Sequence, residues 1–304
     1  MVQRGLPCGA RGGGWTCPST VRPTKNALRA NLAIVGRVRE IAQRAGITPA
    51  RGTWSAVNDE QRGPTGGMLP LVGCSTPEAP RKIMTTIAII GAGPGLGVAV
   101  ARRFGREGFD VALITRTADR AQTLSAELAG EGLTARGFAA DVRDPKALEA
   151  ALDAATATLG PIEVMQYSPA PQREFMRPVL ETTPADLVGP IEFSVYGPVV
   201  AVHQVLPGMR ALGRGTILLI NGGTAAVPHP DRAGTSLAFA AESAYGHLLH
   251  GVLADEGIHV AQLVIPGAIS PGHPRKDPAA LAETIWNIHQ DRHGYRHFAD
   301  DLDS

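Results

Sequence analysis

Lysine is almost missing from this 304-residue chain, and none occurs between Lys146 and Lys276. None of its four tyrosines, Tyr167, Tyr196, Tyr245 and Tyr295, has a lysine four positions on. That excludes a phenol eased toward neutrality by an ammonium one helical turn away, the usual remedy for a group of pKa about 10. Cysteine is as scarce. Cys8, Cys17 and Cys74 all precede residue 84 and no C-x-x-C occurs, which excludes a disulfide framework and a thiolate zinc site in the main body and fits a reducing, cytoplasmic setting. No uninterrupted apolar run approaches the roughly 20 residues of a membrane span, and no signal-peptide core is present, so no membrane partner is expected. No H-E-x-x-H pairing occurs either. His289, His293 and His297 recur every four residues, but Gly294 interrupts them in a polar stretch, which reads as a solvated C-terminal tail rather than a metal site.

Charge of one sign is unevenly spread. Residues 1–83 carry a surplus of +8, so the remainder carries −7 against a total of +1. A mildly acidic main body speaks against a nucleic-acid surface. Residues 1–24 are rich in Gly, Arg and Pro and read as disordered. Leu28, Leu32, Val35, Val38, Ile41 and Ala45 then form one amphipathic helix. Residues 1–83 are expected to be a largely disordered extension, with the working protein starting at Met84. Within it, NLAIVGRVREIAQRAGITPA (Asn31–Ala50) and LPLVGCSTPE (Leu69–Glu78) resemble a late helix and the following strand of aldo-keto reductases, with Arg51 where that family has glutamine. One such unit cannot close a (β/α)₈ barrel.

What is present is a phosphate-binding pattern. Thr86–Ile90 is a β-branched strand, Gly91, Gly93, Gly95 and Gly97 follow at every second position, and Leu96, Val100 and Phe104 recur at helical spacing up to Gly108. A second apolar strand begins at Asp110. Strand, glycine turn, helix and strand make one βαβ unit. A helix N-terminus offers free N–H groups and the positive end of its dipole to a diphosphate, and glycine lets the backbone approach it. The strict G-x-G-x-x-G pattern fails in every register, whereas G-x-x-x-G-x-G fits as Gly91, Gly95 and Gly97. Helices and apolar strands go on alternating to Ile265. The fold class expected is α/β: a Rossmann-type doubly wound parallel sheet in three α/β/α layers, with ligands beyond the carboxyl ends of the strands. The helix opening at Thr183-Pro184 should kink at Gly197-Pro198.

From Thr86 to about Trp286 the chain resembles the short-chain dehydrogenase/reductases. The residues carrying this are GAGPGLG, Asp141-Val142, LPGM (Leu206–Met209), GTILLI (Gly215–Ile220) and LADEGIHVAQLVIPGAI (Leu253–Ile269). The resemblance implies a nicotinamide dinucleotide held by Gly91, Gly95, Leu96 and Gly97 at the pyrophosphate and by Asp141 and Val142 at the adenine. Ser168, Pro169, Pro266, Gly267 and Ile269 would line the nicotinamide end. Thr115 and Arg116 end the second strand where NAD-specific relatives place a carboxylate, and a guanidinium suits a 2′-phosphate, so NADPH is expected over NADH. The family's interface helices imply a homodimer or homotetramer.

The resemblance stops at the chemistry. Aligned from Leu253-Ala254, the family's catalytic tyrosine falls on Phe239, its lysine on Ser243, its serine on Gly222 and its asparagine on Ser194. Tyr167 is then the nearest spare phenol and the one catalytic candidate, with His229 in a Pro-rich loop behind it. Tyr245 should face away, and His247 and His250 are read as surface or interface groups. Ser270–Pro278 is either a lid or an ordinary surface loop. Two readings stand: an NAD(P)-dependent oxidoreductase of an unknown carbonyl or alcohol with an unusual proton donor, or a catalytically silent NAD(P)-binding protein acting as redox sensor or regulatory subunit. A lyase or isomerase on the same fold is a third.

Overall fold

In the computed structural model residues 85–302 are described. The amphipathic helix, the strand and the aldo-keto reductase-like words expected before residue 84 lie outside them. Thr86–Ile90 (β1) is buried at every position, as a strand covered on both faces must be. The chain continues through Leu96–Arg106 (α1), Asp110–Thr115 (β2), Ala118–Gly130 (α2), Ala135–Ala139 (β3), Pro145–Leu159 (α3) and Ile162–Tyr167 (β4). Then follow Pro184–Ile191 (α4), Gly197–Leu212 (α5), Gly215–Gly222 (β5), Ala233–Leu253 (α6), Ile258–Ile265 (β6), Pro278–Asp291 (α7) and Arg296–Phe298 (β7).

All seven strands are parallel, in the order β3-β2-β1-β4-β5-β6-β7. One face of the sheet buries Leu148, Leu152, Val202, Met209 and Phe239, the other Phe104, Leu128, Leu281 and Ile285. This is the three-layer α/β/α arrangement expected. The order reverses between β1 and β4, so the loops leaving these strands part and open a crevice at the carboxyl edge.

Local chemistry sets the helix starts. Asp144 accepts from the N–H groups of Lys146 and Ala147, both at 3.1 Å. Thr183 and Asp186 form a reciprocal capping box ahead of Pro184, the arrangement that satisfies two otherwise unpaired donors.

The break in the long helix is a π turn, Glu192–Tyr196, joining α4 to α5. Gly197 N–H donates to Glu192 O across five residues, and Pro198 has no N–H to give. Phe193 O is thereby left without a helical donor, and Tyr167 Oη supplies one. A Cβ on Gly197 would overlap that hydroxyl, so the position needs glycine. The continuous stretch Pro184–Leu212 is long and apolar enough to cross a membrane by length and composition alone; Ala201, Val202, Val205 and Met209 bury its α5 part.

The C-terminal expectation is also corrected. His289 sits on α7, 8% exposed, with Nδ1 2.9 Å from Thr216 Oγ1. Leu281, Ala282, Ile285 and Ile288 give α7 a buried stripe, and Trp286 and His289 pack with Phe104 and Phe109 at centroid distances of 5.0–6.3 Å. His297 lies on β7, paired with Leu263 of β6. The polar look of the segment came from its outer face. No cluster of His, Cys, Asp or Glu able to hold a metal exists among the described residues.

Candidate functional site

The crevice holds a cavity of about 540 Å³ walled by the loops after β1, β4, β5 and β6. Gly91, Leu96, Gly97, Ser168, Pro169, Pro266, Gly267 and Ile269 all line it, and so does Gly93, which the three-glycine register passed over.

The glycines do different things. Gly91 has φ +83° and donates to Ile114 O at 2.9 Å, and a Cβ there would overlap the Pro169 backbone. A Cβ on Gly97 would lie 2.9 Å from Ala92 Cα, which fixes how closely α1 follows the turn. Gly93 and Gly95 face open space. Gly95 caps α1 without a side-chain bond. The first helical bonds are Val98 N–H to Gly93 O and Ala99 N–H to Gly95 O, both 3.1 Å, so the amides of Leu96 and Gly97 remain unpaired among the described residues. An unobstructed cradle with free donors at a helix N-terminus fits a diphosphate.

Gly95 itself lies outside the cavity wall, as do Thr115, Arg116, Asp141 and Val142. The last four mark the carboxyl ends of β2 and β3. Thr115 is buried, with its hydroxyl donated to Thr117 O at 2.9 Å, which leaves Arg116 as the exposed group there. Asp141 accepts from Arg143 N–H at 3.0 Å in a tight turn, and Val142 is buried.

Tyr167 is not in the cleft, which corrects its candidacy as proton donor. As the last residue of β4 it points to the face opposite the α1 layer, is 1% exposed, and spends its hydroxyl on Phe193 O. Burial, with Glu242 and Asp141 nearby, pushes its phenol well above the ordinary value. Neighbouring Ser168 does reach the cavity, and its Oγ accepts from Gln166 Nε2 at 2.9 Å.

His229 lines the cavity with its Nδ1 accepting from Asp231 N–H at 3.1 Å. Tyr245 is absent from the wall, and burial raises its phenol to about 12. His247 is exposed, and His250 Nδ1 lies 2.8 Å from Val260 O. Ser270–Pro278 is knitted to itself and to the C-terminal segment. Gly272 N–H donates to Asp277 Oδ2 at 2.7 Å, and buried Asp300 faces His273, Arg275 and Lys276.

The four positions that the resemblance pairs with the family's catalytic groups carry other chemistry, and two of them, Ser194 and Ser243, lie outside the cavity wall. Gly222 and Phe239 line the cavity. Ser243 donates to Gln262 Oε1 at 2.8 Å and accepts from Arg296. Arg296 Nε also donates to Gln262 Oε1 at 3.0 Å, so the Gln262 amide must turn its Nε2 to Asn221 Oδ1, at 2.7 Å. Asn221, on the cavity wall, therefore turns its own NH₂ the other way. Behind it lie Ser194 and Glu242, 1% and 2% exposed. Sequence reasoning missed Glu242, Gln262 and Arg296. One cue existed for Glu242, the only carboxylate in the 21 residues of α6.

Comparison with known proteins agrees with this geometry. D-threitol dehydrogenase of Mycolicibacterium smegmatis is 30% identical over 130 residues, 43% of this chain and 49% of that protein, so the match spans about half of its length. A short-chain dehydrogenase from Rhodopseudomonas palustris superposes with a TM-score of 0.63 at 26% identity, over 71% of this chain and 98% of that one. L-sorbose reductase from Gluconobacter frateurii, solved with NADPH and L-sorbose, gives 0.66 at 20% identity over 73% and 98%. The family model for short chain dehydrogenases matches residues 85–280, nearly the whole described sheet. The chain therefore belongs to the short chain dehydrogenase family.

Proposed function

We propose that this protein is an NADP(H)-dependent oxidoreductase of a carbonyl or alcohol, working without the family's tyrosine–lysine pair. The observation that carries the reading is the cradle: open glycines and the unpaired amides of Leu96 and Gly97 at the floor of a cavity large enough for a dinucleotide end and a small substrate. Gly91, Gly93, Gly95, Leu96 and Gly97 would hold the pyrophosphate, Asp141 and Val142 the adenine, and Ser168, Pro169, Pro266, Gly267 and Ile269 the nicotinamide end. Arg116, exposed and without an ion pair among the described residues, is the group for a 2′-phosphate. L-sorbose reductase, which shares the fold, was solved with NADPH.

When bound, the nicotinamide supplies a hydride. The chain's part is to position the acceptor and deliver a proton. Met176, Val227, Ile269 and Leu302 form an apolar rim, each 39–55% exposed, which favours a substrate with an apolar body. The exposed stripe Leu237, Leu248 and Val252 on α6 supports association into a homodimer or homotetramer, and the low cysteine content supports a cytoplasmic setting.

The test is titration of the full chain with NADPH and NADH by fluorescence, followed by absorbance at the reduced-cofactor band across carbonyl and alcohol panels. Tighter binding of NADPH with turnover of a carbonyl upholds the reading. Tight binding without turnover on a broad panel favours the regulatory NAD(P)-binding protein, for which the missing tyrosine–lysine pair is the supporting observation. Absence of binding removes both.

A further inference from the structure

Three buried polar atoms behind the cleft, Glu242 Oε1, Ser194 Oγ and Asn221 Nδ2, reach no full hydrogen-bond geometry, although Asn221 and Ser194 both bear on the Glu242 carboxyl. They belong to three elements, α6, the π turn and β5. A buried carboxyl held this loosely costs stability and calls for an explanation. Asn221 forms part of the cavity wall and faces the Glu242 carboxyl with its amide. Phe239, one helical turn before Glu242, also lines the wall.

The orientation of this group is fixed from the far side. Arg296 can only donate, so Gln262 Oε1 must face it, Gln262 Nε2 must face Asn221 Oδ1, and Asn221 Nδ2 is left for Glu242. The titratable groups near Glu242 are the phenols of Tyr167 on β4 and of Tyr295 just before β7. Both are neutral at ordinary pH, the second pushed up to about 12 chiefly by burial. The Arg296 guanidinium is taken up by Gln262 and Ser243.

We propose that Glu242 is the proton store of this cleft, with Asn221 as the residue that couples it to bound cofactor and substrate. This rests on the NADP(H) reading above. In the reducing direction hydride addition breaks the carbonyl π bond and leaves the electron pair on oxygen. The Glu242 O–H bond breaks, its proton passes to that oxygen by way of a water molecule admitted beside Asn221, and Glu242 is left as the carboxylate. Oxidation runs the same steps backwards, with Glu242 taking up the alcohol proton. Burial pushes the Glu242 carboxyl up to about 8, while Asn221 and Ser194 pull it down. It is therefore protonated at neutral pH and able to ionise at mildly alkaline pH. Because Glu242 stands behind Asn221 rather than in the wall, it acts through that residue.

The consequence is a linkage independent of turnover. Oxidised nicotinamide carries a positive charge and the reduced ring does not, so NADP⁺ favours ionised Glu242 and NADPH does not. Reciprocity then requires the NADP⁺ affinity, relative to NADPH, to rise with pH across the ionisation. The experiment uses the full chain, with both affinities measured by titration between pH 7 and 9 and proton release on NADP⁺ binding followed with an indicator dye. Expected is an affinity ratio rising about threefold or more, with proton release near pH 8. Glu242→Gln should show neither while still binding NADPH. Asn221→Leu, which keeps the carboxyl, should weaken both and provides a second variant if the first fails to fold. A flat ratio in the wild type, or a rise that survives in Glu242→Gln, overturns the proposal. Failure of both nucleotides to bind overturns the cofactor reading instead.

Discussion

Replacing Tyr167 with phenylalanine separates a structural phenol from a catalytic one. Phe193 O has two possible helical donors. Gly197 N–H goes to Glu192 O across the π turn, and Pro198 has no N–H. Tyr167 Oη, on a side chain 1% exposed, supplies the missing bond. Its removal leaves a buried carbonyl unsatisfied, which costs about 1–3 kcal/mol. For a domain of this size that lowers Tm by roughly 2–10 °C. Urea and thermal unfolding of Tyr167→Phe beside wild type measure it. NADPH affinity and any turnover should stay within about twofold, since the hydroxyl is turned from the cleft. Pro198→Ala adds an N–H beside the same carbonyl, so it should cost less in the Tyr167→Phe background than in the wild type, a coupling a double-mutant cycle reads directly. Unchanged stability would refute the hydrogen-bond accounting. Loss of turnover with intact binding and fold would return Tyr167 to the chemistry.

At the α1 N-cap, Gly95 faces open space and has no side-chain cap. Gly95→Asp should leave the unfolding free energy within about 1 kcal/mol of wild type, yet cut NADPH affinity by about tenfold or more by placing a carboxylate where phosphate binds. Equal binding would move the phosphate site elsewhere. Arg116→Glu should lower the preference for NADPH over NADH by roughly tenfold or more, because a carboxylate repels a 2′-phosphate and accepts from a ribose hydroxyl. Buried His259 and His289 are both pushed down to about 4, chiefly by burial. A depressed histidine pKa means that its share of stability is present above the unfolded value of about 6.5 and is lost as pH falls toward 4. The difference in unfolding free energy between wild type and His259→Gln should shift by about 2 kcal/mol from pH 7 to pH 5, and a constant difference would show that the ring is already solvated.

The sheet was legible because its strands are covered on both sides. Thr86–Ile90 and Ile258–Ile265 are mostly apolar and buried at every position, and the glycine turn marks where strand becomes helix. The cofactor cradle was legible for the same local reason. α7 was not, since its buried residues Leu281, Ile285 and Ile288 are outnumbered by polar neighbours and His289 reads as surface until Thr216 and Phe104 are seen around it. Tyr167 failed for want of a direction. Its place at the end of β4 was right, but a strand alternates faces and sequence does not say which face meets the cleft. The Arg296–Gln262–Asn221 series joins residues 34 and 41 positions apart, and no local pattern announces it.

That series gives the short edge strand β7 a share in the polarity behind the cleft wall. An amide presents an NH₂ on one side and an oxygen on the other, and Arg296 forbids Gln262 from choosing freely. Exchanging Arg296 for an acceptor would let Gln262 rotate, and Asn221 with it. The buried Glu242 carboxyl would then face an amide oxygen in place of an NH₂, with no residue beside it altered.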